Sequence, residues 1–137
     1  MPLEENNARL VSQWLQKATV DFIVVERLIG DVDPILQPIA FHAQQAVEKY
    51  IKAYLVYKQI EFPKTHDIKE LINLLATVNH ALSQELSDCD VLTVYGVEIR
   101  YPGDIPDLTL EEVKQAVELA RKVREAILGA LPPEFKQ

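Results

Sequence analysis

What this chain has little of narrows it first. One cysteine, Cys89, in 137 residues excludes an internal disulfide and the small scaffolds that depend on such bridges. It stands between Asp88 and Asp90, whose charges oppose a thiolate, so an inert side chain is expected rather than a nucleophile. No apolar run approaches the ~20 residues of a membrane-spanning helix. The opening MPLEENNARL has no basic region followed by an apolar stretch, so it does not read as a signal peptide. A cytoplasmic protein with no membrane attachment is the expectation. Histidine is scarce too: His42, His66 and His80, with the lone cysteine, have none of the paired spacings that build zinc sites. Glu-x-x-His pairs, G-x-G-x-x-G, the P-loop and G-x-S-x-G are missing, so neither a metal nor a cofactor is expected.

Positive charge is also in deficit. A net charge of −7 argues against a general nucleic-acid binder, which is normally basic. The charge is segregated, however. Between Phe41 and Lys69, five lysines face three acids, leaving +2 there and −9 elsewhere, so a local patch can still attract an anion.

What is present reads as helices punctuated by proline, with no convincing strand pair, internal repeat or low-complexity tract. The length fits one domain, residues 1–137, and the 48% apolar and 26% charged composition is that of a soluble globular protein. A first helix is expected from about Glu4 to Ile29, its seam formed by Val11, Trp14, Leu15, Ala18, Phe22, Val25 and Ile29. Pro34 and Pro38 then predict a connector, with the next helix beginning near Ile39 and ending around Lys58. Asp67 caps a third helix in a capping-box-like pair with Glu70, with Ile68, Leu71, Ile72, Leu75 and Val78 inward and Thr65 and His66 shaping the turn before it. A fourth is expected from about Ala81 to Tyr95, burying Leu82, Leu86, Cys89 and Leu92, although Val91, Thr93, Val94 and Val97 weaken its propensity. The glycine- and proline-rich GVEIRYPGDIPDLT must be a loop. A last helix opens on the capping box Thr109 to Glu112 and runs along Leu110, Val113, Val117, Ala120, Val123 or Arg124, Ile127 and Leu131 until Pro132 and Pro133 stop it. The fold class is therefore all-α, an antiparallel bundle of about five helices.

The most informative stretch is FHAQQAVEKYIKAYLVY, residues 41–57. Ala40, Ala43, Val47, Tyr50, Ile51 and Tyr54 form its core arc. His42, Gln45, Lys49 and Lys52 fall on a separate stripe within an arc of roughly 80°, flanked by Gln44 and Glu48. An imidazole, an amide and two ammonium groups in one row mark either a binding site or a solvated face.

FHAQQAVEKYIKAYL, then FPKTHDIKELI, then RYPGD, then LEEVKQAVELARKV closely resemble the HEPN domain, the "higher eukaryotes and prokaryotes nucleotide-binding" family. The resemblance runs from the first helix to about Ile127. It implies an up-and-down helical bundle, usually a homodimer, often paired with a small nucleotidyltransferase, and in many relatives a metal-independent RNase acting as a toxin. The active relatives carry an Arg followed four to six residues later by a His. Here Arg100 matches the Arg, but Asp104, Ile105 and Pro106 occupy the window. Neither Ile nor Pro moves a proton, and Asp104 would need a strongly raised pKa. Three readings follow. In one, the chain is a non-catalytic nucleotide- or RNA-binding subunit of a toxin–antitoxin-like pair, with Arg100, Lys49 and Lys52 on phosphate and His42, Gln45 and Tyr101 on sugar or base. In another, it is an RNase in which His42 or His66 replaces the absent base and Arg100 stabilises the phosphorane. In the third, the polar stripe and Arg100 serve only a helical dimer interface.

Overall fold

The computed structural model describes residues 2–96 and 107–135, and every regular element among them is helical. The elements are α1 (Pro2–Ile29), α2 (Leu36–Tyr57), α3 (Ile68–Ala76), α4 (His80–Glu85) and α5 (Leu110–Ala130), with 3₁₀ segments at Ser87–Gly96 and Pro133–Phe135. The all-α bundle expected from the pattern is the one observed.

Helix α2 lies at the centre, with α1, α5, α3 and the 3₁₀ segment packed round it. Ile39, Ala40, Ala43, Ala46, Val47, Tyr50, Ile51, Ala53, Tyr54 and Leu55 are all buried. They span far more than one stripe, as a helix enclosed on most sides requires. Val11, Leu15, Ala18 and Val25 of α1, Val113, Val117, Ala120, Val123 and Ile127 of α5, and Ile68, Leu71 and Leu75 of α3 join them in the core. Each large aliphatic buried this way contributes about 1.5–3 kcal/mol against leaving it in water. Tyr50 and Tyr54 are buried with their hydroxyls satisfied, by Thr19 Oγ1 at 3.2 Å and Asn79 Nδ2 at 3.0 Å. Helix α1 runs antiparallel to its neighbours: Lys52 lies over Trp14 while Lys49 reaches Asp21, and Arg124 lies over Phe22 while Arg121 reaches Glu26.

The structure corrects the sequence reading in four places. Helix α2 starts at Leu36, three residues before the expected Ile39, and so contains Pro38. Pro38 is tolerated because it sits in the first turn, where its missing N–H would have had no intrahelical acceptor. The expected helix over residues 81–95 is an α-helix only to Glu85, after which ten residues are 3₁₀. Leu86, Cys89 and Leu92 repeat every three residues, so one 3₁₀ turn stacks each over the last, and all three are buried. Asp67 does cap α3, accepting from Lys69 N at 3.0 Å, but its own N–H goes to Thr65 Oγ1 at 3.1 Å instead of to Glu70. On α5 the capping box forms as expected, Val123 rather than Arg124 faces the core, and Leu110 is exposed.

Candidate functional site

Two carboxylates hold two imidazoles along α2. Asp21, on α1, points out of the apolar seam into the α1–α2 interface, and only 9% of its side chain is exposed. Its Oδ1 lies 2.7 Å from His42 Nδ1, and its Oδ2 accepts from Lys49 Nζ at 2.6 Å. Glu48, whose side chain is 2% exposed, repeats the arrangement on the neighbouring face of α2. Its Oε1 lies 2.7 Å from His66 Nδ1 and accepts from Lys52 Nζ at 3.0 Å. A carboxylate only accepts, so each ring donates Nδ1–H, and in the neutral ring Nε2 keeps its lone pair. His42 is 31% exposed and His66 is 75% exposed. The paired carboxylate also fixes each ring's orientation, the role such a partner has wherever an imidazole transfers protons.

The backbone that carries His66 is gripped from the same helix. Gln44 Nε2 donates to His66 O at 3.2 Å, and Lys52 Nζ donates to Thr65 O at 3.0 Å. Gln44, Glu48 and Lys52 recur every four residues, so one row of α2 holds residues 65 and 66. Lys52 is further enclosed between the rings of Trp14 and Phe62, at 5.4 and 5.6 Å from their centroids. Gly96 closes the far side of Gln44. A Cβ there would fall 3.0 Å from Gln44 Cδ and 3.1 Å from its Oε1, so no larger residue fits without moving the amide.

The stripe read from sequence therefore has a different electrostatic character from the one expected. Lys52 is buried and Lys49 largely covered, and each is neutralised by a carboxylate, so neither offers a free charge to phosphate. Gln45 is half-buried, between the two clusters on the helical wheel. Arg100 and Tyr101 lie outside the described residues. The residues that organise the site were not singled out by the pattern: Gln44 and Glu48 read as flanking positions, and Asp21 drew no reading at all. Asp21 had a visible signal, since an acid three residues after Ala18 and four before Val25 falls in the buried register. Cys89 is no alternative centre, because burial, then the adjacent Asp88, pushes its thiol up to about 12. Among the described residues no group of three His, Cys, Asp or Glu is placed to hold a metal ion, and no helix is long and apolar enough to cross a membrane.

A family model described as the HEPN domain matches residues 11–130. The fold is similar to that in the crystal structure of TT1696 from Thermus thermophilus, at 25% identity and a TM-score of 0.69, over 88% of this chain and 98% of that one. A comparison with curated proteins finds no match.

Proposed function

This chain belongs to the HEPN domain family, and from that premise we propose that it is a homodimeric nucleotide- or RNA-binding subunit that works with a nucleotidyltransferase-type partner in a toxin–antitoxin-like pair without cleaving RNA itself. The observation that carries the binding reading is the pair of imidazoles beside α2, His42 on the helix and His66 on the loop before α3, each held through Nδ1 by a mostly buried carboxylate with Nε2 left for a ligand. Such an arrangement is costly to build for stability alone, because desolvating charged groups offsets much of their attraction. With Lys49 and Lys52 committed to carboxylates, phosphate falls to Arg100, whose guanidinium makes bidentate, charge-assisted contacts. Val20 and Ile23 on the outer side of α1, with Val32 and Ile35 just beyond it, leave apolar groups in water that support a second copy as partner.

The absence of cleavage rests on Asp104, Ile105 and Pro106, where the RNases of the family have their histidine. A second reading is favoured by the same two imidazoles. An Nε2 held by a carboxylate–imidazole pair is a competent base for the ribose 2′-OH, whose oxygen would attack the adjacent phosphorus as the P–O5′ bond breaks.

The test is to incubate purified protein with labelled single-stranded RNA in chelator, following binding and cleavage separately. Binding is expected, weakening as salt rises because neutralised phosphates release counterions. Arg100→Ala should weaken it by roughly 1.5–3 kcal/mol, the worth of hydrogen bonds to a charged group. Cleavage by the wild type that disappears in His42→Ala or His66→Ala would replace the binding reading with the RNase one. Absence of binding to RNA or any nucleotide at low salt would leave only an interface role for the polar residues.

A further inference from the structure

We infer that His66 is the residue through which this protein reads a ribose 2′-hydroxyl, and that Glu48 is the positioning residue that makes it a hydrogen-bond acceptor. The inference rests on the RNA-binding reading and assigns the contact within it.

Three observations carry it. The His66 ring is 75% exposed, yet its Nδ1 lies 2.7 Å from a carboxylate that is 2% exposed. An exposed side chain tethered to a buried charge is not a solvated surface group. Its backbone is fixed as well, by Gln44 Nε2 on its own carbonyl and by Lys52 Nζ on that of Thr65. Three consecutive turns of the central helix thus supply one side chain each to hold a two-residue stretch of loop. Apolar residues at those three positions would pack α2 at lower desolvation cost, so the polar row serves the ring it presents.

The tautomer then follows from chemistry. Glu48 cannot donate while ionised, so Nδ1 carries the hydrogen, and in the neutral ring Nε2 presents a lone pair to solvent. A phosphate oxygen, which also only accepts, gains nothing from a neutral ring in this state. A hydroxyl donor does. In a nucleic acid the donor present on every nucleotide of RNA and on none of DNA is the 2′-OH. His42 is built on the same plan but is 31% exposed, with Phe41 edge-on at 5.2 Å between ring centroids, so His66 is the more accessible acceptor.

The experiment compares single-stranded RNA and DNA of one sequence by fluorescence anisotropy, together with long-range ¹H–¹⁵N NMR of the histidine rings in the free protein. Wild type is expected to show His66 as the Nδ1–H tautomer and to bind RNA roughly five- to tenfold more tightly than DNA, the worth of about one hydrogen bond. His66→Ala, a change at an exposed ring, should bring the two affinities together, whereas His80→Ala should leave the preference intact. Glu48→Gln, which can donate to Nδ1, should populate the Nε2–H tautomer and reduce the preference. Should that variant fail to fold, the wild-type tautomer and His66→Ala still decide. Equal affinity of the wild type for RNA and DNA, an RNA preference that survives His66→Ala, or an Nε2–H ring in the wild type each overturns the assignment and leaves the binding reading standing. Failure to bind either oligonucleotide overturns the RNA-binding reading as well as the assignment.

Discussion

At the scale of single residues, Glu48 is where a role in stability and the proposed role in binding can be told apart. Glu48 is 2% exposed and faces both Lys52 and His66, so removing it alone strands a buried ammonium. Glu48→Leu should therefore destabilise the fold by about 3–5 kcal/mol, the usual effect of breaking a buried pair. Glu48→Leu combined with Lys52→Met removes both charges and keeps the volume apolar. Such exchanges are often neutral or stabilising. Chemical denaturation should thus show the double variant recovering most of the loss, while the His66 ring loses its fixed tautomer. A double variant as unstable as the single one would mean that the Lys52 contacts to Thr65 O and the Trp14 and Phe62 rings hold the loop in place by themselves.

Elements end and begin here for reasons that can each be tested by one substitution. Helix α2 closes in a Schellman arrangement, with Gln59 N donating to Val56 O and Ile60 N to Leu55 O, both at 2.9 Å. The residue after the cap must then adopt a left-handed backbone, and Gln59 does so at φ 59°. That conformation brings a Cβ too close to the following carbonyl and suits glycine. Gln59→Gly is accordingly expected to stabilise the protein by roughly 1 kcal/mol, read as a higher denaturation midpoint with unchanged slope. A lower midpoint would show that the Gln59 side chain makes a compensating contact. The 3₁₀ segment over Ser87–Gly96 follows a different logic, since its three-residue apolar repeat suits that helix type better than an α-helix.

For the whole molecule, the proposed dimer is the point most open to measurement. With Val20 and Ile23 of α1 and Val32 and Ile35 beyond it facing solvent, a second copy would bury apolar groups that water now covers. Light scattering at micromolar concentration should give twice the chain mass, and Val20→Glu with Ile23→Lys should return it to the monomer. A monomeric wild type would remove the homodimer from the proposal. The net charge of −7 makes close approach of two copies repulsive, so the dimer should tighten as salt rises, opposite to RNA binding.

The fold class is legible in the sequence, because periodic burial and proline punctuation are local signals. The α1 seam, the Thr109–Glu112 capping box and the core arc of α2 all appear where the three- and four-residue spacing put them. The sequence was also enough to mark residues 42–52 as unusual and to identify the incomplete Arg–His pattern at Arg100. Helix ends were less legible, since Pro38 and the 86–92 repeat are compatible with more than one backbone until neighbours are present. The character of the polar stripe emerges with the packing of the other elements against it. A helical wheel shows which side chains share a face but not what another element brings to that face. Asp21 comes from a different helix and His66 from a loop, 28 and 18 residues from their lysine and glutamate partners. Their meeting turns two lysines from candidate phosphate ligands into counter-ions, Lys52 buried and Lys49 largely covered, and two imidazoles from surface groups into oriented ones.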